Sequence, residues 1–351
     1  MKIKVLKFGG TSVGSIEAIK RSADIIHDWS KKSKVIAVLS AMSGETDRLI
    51  NLTKSFSKNP NPIDFDNAIS SGENVSCALM SICLNNQKIK AKSLLSWQIP
   101  IITSSEHMKS RILSINKKFL YDELENFEVL LIPGFQGINN KGELTTLGRG
   151  GSDTSAVAVA AAMETECIIY TDVEGVFTTD PNIVPKAKKI NKISYEEMLE
   201  LASQGAKVLQ TRSVELAMRK NTKLSVRSSF KPKKIGTMIT DEKSVLENNT
   251  VSGITYSKDE AKITLSRVQD KPGVSSKIFG PLAKGNINVD MILQNISQDG
   301  KFANLSFTLP RLDLEKALKI LKKEKSIIGY KKIISSNNCL LYTSDAADDT
   351  C

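Results

Sequence analysis

The sequence predicts an α/β protein in which a mostly parallel sheet lies between two layers of helices as a three-layer sandwich, followed by a smaller α+β domain. Apolar strands alternate with helix patterns over about the first 230 residues, and glycine or small polar residues follow several of the strands. After about residue 250 the order of elements changes. The length of 351 residues suits two domains of ordinary size.

The composition excludes several classes of protein. Apolar residues make up 40% of the chain, and no apolar run approaches the ~18 residues of a membrane span. Residues 1–5 open directly into a strand pattern, so we expect no signal peptide. The five cysteines stand far apart, at Cys77, Cys83, Cys167, Cys339 and Cys351. Without a C-x-x-C pair, they argue against a disulfide framework or a zinc site and for a reducing, cytoplasmic location.

Charge and histidine content narrow the function. The 49 basic and 38 acidic residues give a formal net charge of +11, but the lysines are spread along the chain without a basic-aromatic motif. We therefore expect affinity for small anions, and no binding of nucleic acid or membranes. The two histidines, His27 and His107, leave few candidates for histidine-based acid–base chemistry.

The first predicted strand, Ile3–Phe8, runs into the glycine-rich turn Gly9–Gly14, and a helix with Ile16 on its apolar face follows from about Ser15. Such a turn places backbone N–H groups and a helix N-terminus where an anion can bind. It is not a Walker loop, because Lys7 precedes the glycines. A plain tight turn between strand and helix is the alternative interpretation.

The alternation of strands and helices continues beyond this turn. A strand at Val35–Leu39 precedes a helix that includes 46–49, a helix is predicted over Asp64–Leu84, and strands are predicted near Ala91–Trp97 and Val129–Ile132. Right-handed crossovers join such strands into a parallel sheet, and ligands bind beyond the carboxyl ends of the strands. We therefore expect the small polar residues that follow the strands to line a site.

A second glycine cluster, Thr145–Thr154, precedes a helix of small residues, Ser155–Met163, which Ser152 or Asp153 could cap. Arg149 stands beside two glycines, a composition typical of a clamp on a carboxylate or phosphate. A capped helix with a surface arginine is the alternative here.

The next strand, Cys167–Tyr170, leads into a loop rich in acids and threonines, Thr171–Pro181, that could bind a nucleotide and hold a divalent metal indirectly. A solvated acidic loop is the alternative. Helices are predicted around Tyr195–Ser203 and from Gly205, with Lys207 in the first turn of the latter, where its charge would add to the positive helix end.

These pieces, in this order and at these spacings, resemble the aspartate kinases over about residues 1–335. The resemblance rests on the runs Lys7–Val13, Ser40–Met42, Ser71–Glu73, Gly148–Asp153, Thr171–Val173 and Thr179–Pro181. It implies the amino-acid-kinase fold and the reaction ATP + L-aspartate → ADP + 4-phospho-L-aspartate, the first step toward lysine, threonine, methionine and diaminopimelate. An ionised aspartate carboxylate needs no general base, which suits a chain with two histidines.

The resemblance also implies roles for individual residues. The catalytic residues would be Lys7, Asp172 and Lys207. ATP, with Mg²⁺ on its phosphates and no direct protein ligand to the metal, would bind Lys7, Gly9, Gly10, Ser152, Thr171, Asp172, Phe177, Thr179, Asp180, Pro181 and Lys207. Aspartate would bind Ser40, Thr46, Glu73, Arg149, Gly150, Gly151 and Ser152. Of these, Arg149 would hold its α-carboxylate and Glu73 its ammonium.

After a strand at Leu224–Ser228 and a polar break, the chain shows the order β-α-β-β-α of a ferredoxin-like domain. Its elements are predicted at Ala261–Val268, Val274–Lys284, Ile287–Ile296, Ala303–Leu309 and Leu312–Lys323. With the runs Asp270–Gly273 and Asn288–Met291, this region resembles an ACT domain. The resemblance implies a homodimer joined through ACT domains and a feedback effector, lysine or threonine, bound at Asp270, Ser275, Asn288, Asp290 and Gln294.

The predicted domains are 1–235 for the kinase, 236–250 for a linker and 251–336 for the ACT domain. Aspartate kinases usually carry two ACT repeats, whereas one is recognised here. Residues 337–351 show neither helix nor strand periodicity and are interpreted as a non-native tail from truncation or adapter read-through. We therefore expect this ACT domain to expose an apolar surface that a second repeat would cover.

Three alternatives compete with the aspartate kinase interpretation. Acetylglutamate, glutamate, uridylate and carbamate kinases share the sheet, but the run Lys7–Val13 together with an ACT domain favours aspartate kinases. A catalytically inactive amino-acid sensor would not need the full set of polar residues described above. Nucleic-acid binding would need a localised basic face, which the sequence does not show.

Overall fold

The computed structural model describes residues 2–99, 101–148, 150–203, 205–206, 208–241, 251–285, 287–297 and 301–346. The chain folds into two compact units, the first built on residues up to Ile254 and the second on Thr255–Thr343. Among the described residues, no helix combines the length and the apolar character that a membrane crossing requires.

The first unit alternates strands with helices along the chain. Its strands are β1 (Ile3–Phe8), β2 (Lys34–Leu39), β3 (Ala91–Ser93), β4 (Ile101–Thr103), β5 (Ile112–Ile115), β6 (Val129–Pro133), β7 (Gln136–Ile138), β8 (Leu144–Thr146), β9 (Cys167–Thr171), β10 (Lys192–Ser194), β11 (Leu224–Ser228) and β12 (Thr237–Thr240). Its helices are α1 (Ile16–Ser30), α2 (Glu45–Phe56), α3 (Pro62–Ile69), α4 (Ser71–Asn86), α5 (Lys117–Asn126), α6 (Gly151–Ala162), α7 (Tyr195–Ser203) and α8 (Thr211–Lys220).

Eight of these strands form one sheet in the spatial order β10-β12-β11-β9-β1-β2-β6-β3. The six strands from β11 to β3 are parallel, and β12 is antiparallel to β11. A smaller sheet of order β5-β4-β7-β8 belongs to the same unit. The predicted α/β fold with a mostly parallel central sheet is therefore confirmed.

Two apolar cores on opposite faces of the large sheet make the unit three layers thick. Because side chains alternate along a strand, Ile3 and Val5 of β1 pack on one face with α6 and α8, whereas Leu6 and Phe8 pack on the other with α1 and α4. Lys7 lies at an odd position of β1, like Ile3 and Val5, so its side chain points to the same face of the sheet, the face that α6 covers.

The register of the central strands aligns their carboxyl ends. Phe8 of β1 lies opposite Leu39 of β2 and Tyr170 of β9, and Leu39 lies opposite Pro133 of β6. The residues that follow these strands therefore leave the sheet at one common edge, the position at which α/β sheets bind ligands.

Several elements differ from the predictions. The helix expected over Asp64–Leu84 is two helices, α3 and α4, which meet at Ser70. The strand expected near Ala91–Trp97 ends at Ser93, and the chain then turns, with the Gln98 N–H donating to the Leu95 carbonyl at 2.9 Å. Ile16 is 66% exposed because it lies in the first turn of α1, outside the packed stripe.

Two helices begin at other residues than expected. The N-cap of α6 is Gly150, whose φ of +72° lies in the left-handed region, so Ser152 and Asp153 lie in the first turn and neither caps the helix. Helix α8 begins at Thr211, after Gln210 in extended conformation, and not near Gly205.

The second unit is a sheet of four strands packed against helices. Its elements are β13 (Val251–Gln269), α9 (Val274–Lys284), β14 (Ile292–Ile296), β15 (Phe302–Pro310), α10 (Leu314–Lys323), α11 (Lys325–Ile328) and β16 (Lys332–Ala346). The sheet order is β14-β15-β13-β16, and the chain order β-α-β-β-α-β completes a ferredoxin-like arrangement. The predicted ACT-like α+β domain is confirmed.

Two strands lie in the segments that were predicted to be a linker and a non-native tail. Strand β12 falls inside the expected linker 236–250, of which residues 242–250 lie outside the described part of the chain. Strand β16 runs through residues 337–346 of the expected non-native tail, and residues 347–351 also lie outside the described part.

Candidate active site

A buried ion pair lies at the edge where the parallel strands end. Lys7 Nζ lies 2.6 Å from Asp153 Oδ1, and the two side chains are 11% and 10% exposed. Strand alternation directs Lys7 to the face that α6 covers, and Asp153 in the first turn of α6 meets it there. The structure thus places a cation, held by a carboxylate, beside the positive end of a helix.

The turn after β1 lies against the turn after β2. A Cβ atom at Gly10 would lie 3.1 Å from the carbonyl oxygen of Ala41, so a side chain there would push the two turns apart by a few tenths of an ångström. The Ser40 N–H donates to the Phe8 carbonyl at 3.1 Å, which fixes Ser40 beside the predicted anion-binding turn of Gly9 and Gly10.

Glu73 is a buried carboxylate at the same edge. Its side chain lies in the first turn of α4, and Oε1 accepts a hydrogen bond from the Ala41 N–H at 3.1 Å. A Cβ atom at Gly72 would lie 2.8 Å from that of Ala41, so this glycine lets α4 come close enough for the bond. Oε2 is buried and has no hydrogen-bond partner among the described residues.

The surroundings of Glu73 change its acidity. Burial raises the pKa of Glu73 to about 7, against the opposing effect of hydrogen bonds from the backbone N–H groups of Glu73 and Ala41. A cation placed against the free Oε2 would restore the ionised form. The geometry therefore suits recognition of an ammonium group.

The glycine-rich turn before α6 is held from several sides. A Cβ atom at Gly134, which follows β6, would lie 2.8 Å from that of Ser152, so Ser152 lies directly beside the sheet edge. At Gly150 a Cβ would lie 2.1 Å from Cγ of Gln210, which packs over the turn. Arg212 Nη1 donates to the Leu147 carbonyl at 2.8 Å.

The predicted nucleotide residues fall into two groups. Thr171 ends β9 beside β1, and its hydroxyl donates to Oδ1 of the exposed Asp172 at 3.0 Å. The Thr171 carbonyl accepts from the Ser229 N–H at 2.8 Å, and the Ser229 hydroxyl accepts from that of Ser12 at 2.9 Å. This group is therefore tied to the glycine-rich turn after β1.

The second group, Phe177–Pro181, lies further along the same loop and is held by other contacts. Phe177 forms a β-bridge with Lys189. Thr179, which precedes Asp180 in the chain, is half-buried. Asp180 begins a turn that includes Pro181, and its Oδ1 accepts from the Asn182 N–H at 2.9 Å. The structure anchors this loop through the Val176 N–H, which donates to the Thr237 hydroxyl of β12 at 2.8 Å.

Two of the predicted site residues, Arg149 and Lys207, lie outside the described residues. Thr46 lies half-buried in the first turn of α2, and Glu45 beside it approaches α4 at Gly72. Gly151 is buried and Gly150 half-buried in the turn before α6. The structure thus brings Lys7, Gly9, Gly10, Ser40, Glu73, Gly150, Gly151, Ser152 and Thr171 to one edge of the sheet.

Sequence reasoning missed the role of Asp153 at this edge. It treated Asp153 as a possible helix cap, because Asp and Ser are preferred immediately before the first turn of a helix and the helix was expected to begin at Ser155. The left-handed Gly150 takes the capping position and leaves the carboxylate to Lys7. The position of Lys7 in the alternation of β1 could have indicated this contact, because it directs the lysine to the face of the sheet that the following helices cover.

The predicted effector residues lie on the second unit and are all exposed. Asp270 and Gln294 contact each other, with Gln294 Nε2 donating to Asp270 Oδ1 at 3.1 Å. Ser275 lies in the first turn of α9. Asn288 and Asp290 precede β14, and the Asp290 N–H donates to the Thr308 carbonyl at 3.0 Å.

The sequence matches known protein families over both units. Residues 2–228 match the amino acid kinase family, and residues 263–326 match the ACT domain. An aspartate kinase of Pseudomonas putida is 47% identical over 337 residues, which is 95% of this chain and 82% of that protein.

Solved structures share the fold. Aspartokinase III of E. coli in complex with aspartate and ADP (R-state) superposes with a TM-score of 0.79 at 23% identity, covering 99% of this chain and 88% of that one. The same enzyme in complex with lysine and aspartate (T-state) gives a TM-score of 0.76 at 25% identity, covering 99% and 87%.

Proposed function

The chain belongs to the aspartate kinase family, and from this premise we propose that it transfers the γ-phosphoryl group of ATP to the side-chain carboxylate of L-aspartate, giving 4-phospho-L-aspartate and ADP. The observation that carries the proposal is the buried pair of Lys7 and Asp153 at the edge where β1, β2 and β9 end, with Glu73 at the same edge. Lys7 would provide a cation for a phosphate group of ATP, and Glu73 would provide a carboxylate for the ammonium group of aspartate.

The chemistry needs positioning and charge stabilisation more than proton transfer. The substrate carboxylate, with a pKa of about 3.9, is already ionised at neutral pH and is itself the nucleophile. The difficulty lies in bringing two anions together and in stabilising the charge on the oxygens of the phosphoryl group in transit. Lys7 would supply positive charge there, and Asp153 would keep its ammonium oriented.

Aspartate would be oriented by the groups around the sheet edge. Ionised Glu73 would bind its ammonium through the unpaired Oε2, and Arg149 would bind its α-carboxylate. The remaining contacts would come from Ser40, Thr46, Gly150, Gly151 and Ser152. Together these groups would direct the side-chain carboxylate of aspartate toward Lys7.

MgATP would enter as the second substrate from the side of β9. Gly9 and Gly10 offer backbone N–H groups to the phosphates, and Lys207 would add a second cation. Thr171, Asp172, Phe177, Thr179, Asp180, Pro181 and Ser152 would bind the rest of the nucleotide. Mg²⁺ commonly keeps several water ligands and binds through substrate phosphates, so the metal would arrive on ATP without a protein cage of its own.

Regulation would act through the second unit. Lysine or threonine would bind as a feedback effector near Asp270 and Gln294, with Ser275, Asn288 and Asp290 as further candidates. In that role the enzyme would work in the cytoplasm as a homodimer joined through ACT domains, at the first step toward lysine, threonine, methionine and diaminopimelate. The complex of E. coli aspartokinase III with lysine supports this part of the proposal for lysine.

The test is an assay that traps the acyl phosphate with hydroxylamine, with aspartate, ATP and Mg²⁺ present. We expect hydroxamate from the full chain and none from Lys7→Ala. Lys4→Ala is the matched control, because Lys4 lies on the opposite face of β1 and pairs with Glu166. Hydroxamate from Lys7→Ala at the unaltered rate would remove Lys7 from the mechanism. A folded full chain that binds aspartate but forms no hydroxamate would overturn the kinase proposal in favour of a sensor.

A further inference from the structure

A chain of buried hydroxyl groups joins the turn after β1 to the loop after β9. Ser12, which lies in the turn, and Ser229, which directly follows β11, have no solvent exposure. The Ser12 hydroxyl donates to the Ser229 hydroxyl at 2.9 Å, and the Ser229 hydroxyl donates to the Thr171 carbonyl at 3.2 Å. The two hydrogen bonds therefore run in one direction, from the turn to the loop.

Both ends of this hydroxyl chain are fixed by other contacts. At the turn, the Ser12 carbonyl accepts a hydrogen bond from the Ser22 hydroxyl of α1 at 2.7 Å. At the loop, the Ser229 N–H also donates to the Thr171 carbonyl, at 2.8 Å. Because Ser228 lies opposite Thr171 in the register of β11 and β9, the pairing of these strands brings Ser229 to the point where β9 ends. Ser229 therefore bridges two elements from a position that the sheet determines.

Strand pairing holds the first part of the turn, and the hydroxyl chain holds its far end. Where β1 and β9 end, the Gly9 N–H donates to the Tyr170 carbonyl at 3.3 Å. The chain then leaves the sheet as one turn of 3-10 helix, Gly10–Ser12. The bond to Ser229 comes from the last residue of this turn. It therefore ties down the part of the turn that lies beyond the paired strands.

Hydroxyl groups are a demanding way to join two buried segments. A hydroxyl that leaves water loses hydrogen bonds that a well-placed partner must replace, whereas apolar contacts hold segments together without this requirement. In return, a hydrogen bond requires a donor and an acceptor at about 2.7–3.0 Å with restricted angles. The bonds of Ser12 and Ser229 therefore hold the turn in one position relative to the loop.

The turn and the loop are elements that one nucleotide would contact together. In the proposed function, the backbone N–H groups of Gly9 and Gly10 bind phosphates, whereas Thr171 and Asp172 bind another part of ATP. A ligand that reaches two subsites binds the second with an effective concentration that depends on the geometry between them. A change in that geometry weakens a ligand that spans both subsites and leaves a ligand of one subsite unaffected.

We propose that Ser229 is a positioning residue that holds the phosphate-binding turn and the loop after β9 in the relative position that ATP requires. The inference rests on the proposed function, which assigns these two elements to one nucleotide. The Ser229 hydroxyl then contributes to the binding of ligands that contact both elements. It does not contribute to the binding of phosphates by the turn itself.

The test measures the binding of MgATP and of inorganic tripolyphosphate with Mg²⁺ by isothermal titration calorimetry, in the full chain without aspartate. Tripolyphosphate has the phosphates of ATP but no nucleoside, so it would bind the turn alone. Ser229→Ala removes the bridging hydroxyl, and Ser12→Ala removes the donor on the turn. Thr103→Val is the matched control, because it breaks another buried hydroxyl pair, Oγ1 of Thr103 and Oγ1 of Thr145 at 2.5 Å, in the smaller sheet.

We expect Ser229→Ala to weaken MgATP binding about tenfold, the effect of about one hydrogen bond, and to change tripolyphosphate binding less than about twofold. Ser12→Ala should act in the same direction and decides the test by the same comparison if Ser229→Ala does not fold. The double variant should lose no more affinity than Ser229→Ala, because both substitutions break one connection. In the hydroxamate assay, KM for ATP should rise while KM for aspartate is unaltered.

Thermal unfolding of each variant separates positioning from a general loss of structure. Thr103→Val should lower the unfolding temperature and leave both dissociation constants unaltered. Equal weakening of MgATP and tripolyphosphate by Ser229→Ala, or an unaltered dissociation constant for MgATP, would overturn the proposal. So would a wild-type chain that binds MgATP but no tripolyphosphate, since the turn would then hold no phosphates by itself. A folded wild-type chain that binds neither ligand is a different result, the failure of the proposed function.

Discussion

Lys7 and Asp153 meet where a strand and a helix from distant parts of the chain converge, with Nζ and Oδ1 separated by 2.6 Å. The lysine is the fifth residue of β1, a largely apolar strand that is buried in the centre of the sheet, and the aspartate lies in the first turn of the helix that covers it. Because a low dielectric strengthens charge interactions, the carboxylate can offset the cost of burying the ammonium at this position.

The first prediction concerns the charges of this pair. Asp153→Asn leaves the Lys7 ammonium buried without a counter-charge, so we expect the free energy of unfolding to fall by about 3 kcal/mol and hydroxamate formation to fall about a hundredfold. The double variant Lys7→Met, Asp153→Leu removes both charges. It should recover most of the stability in denaturant unfolding and remain inactive.

The exposed pair of Lys31 and Asp28 provides the control for this experiment. Its side chains are 57% and 72% exposed, so Asp28→Asn should change the stability by less than about 1 kcal/mol and leave activity unaltered. Equal losses from Asp153→Asn and Asp28→Asn would show that burial of the Lys7 pair has no energetic consequence.

The second prediction concerns the pH dependence of aspartate binding. The pKa of Glu73 is raised by burial to about 7, and the ionised form is the one that binds an ammonium. We therefore expect kcat/KM for aspartate to rise as the pH increases through about 7 and then to level off. In Glu73→Gln the value should be lower and independent of pH over this interval, with KM for ATP similar in both proteins. Identical profiles would exclude Glu73 as the group that titrates.

The third prediction concerns stability without substrates. Below pH 4.5 Glu73 is protonated in both the folded and unfolded states, whereas from 4.5 to about 7 the folded state retains a proton that the unfolded state has released. Stability should therefore fall as the pH rises across this interval and remain constant above it. Glu73→Gln abolishes this loss, so above pH 7 it should be more stable by on the order of 3 kcal/mol.

Chemical unfolding at pH 5 and pH 8 separates the effect of Glu73 ionisation from an effect of the substitution that does not depend on pH. The difference between Glu73→Gln and wild type should be larger at pH 8 than at pH 5. Glu174→Gln is the control, because the pKa of Glu174 is lowered by hydrogen bonds from Lys231 and Lys234, and this substitution should bring no gain at pH 8. A gain from Glu73→Gln that is equal at both pH values would contradict the assignment.

The sequence predicted the central strands because they are short segments rich in apolar residues that are followed by glycine or a small polar residue. The resemblance to aspartate kinases implied Lys7 and Glu73 as site residues, because the motifs that carry this resemblance are local. Strands β12 and β16 were not predicted: β12 has only four residues, and β16 mixes short apolar runs with polar residues, so both depend on pairing with neighbouring strands. Strand propensity predicts such strands poorly, because pairing with neighbouring strands determines whether they form.

The parts of the site that were not predicted depend on contacts between distant residues. Asp153 lies 146 positions from Lys7, and Ser229 lies 217 positions from Ser12. Nothing in a local pattern indicates that Ser229, one of two adjacent serines, is buried or bonded to the turn after β1. Such partners become visible only when the fold brings the segments together.

The fourth prediction concerns the edge strand β14 of the second unit. Ile292, Leu293 and Ile296 are 50%, 55% and 59% exposed, on a strand that pairs on one side with β15. An exposed edge with apolar side chains is suited to pairing with a second copy, in keeping with the proposed homodimer. Leu293→Lys should therefore weaken self-association in sedimentation experiments over a range of concentrations.

Ile327→Lys is the matched control for this surface. Ile327 is 58% exposed but lies on α11, where no unpaired strand edge is available. It should leave self-association unaltered, and both variants should retain hydroxamate formation, because neither residue belongs to the first unit. A wild-type chain that is monomeric at every concentration, or equal weakening by both variants, would contradict dimerisation through β14.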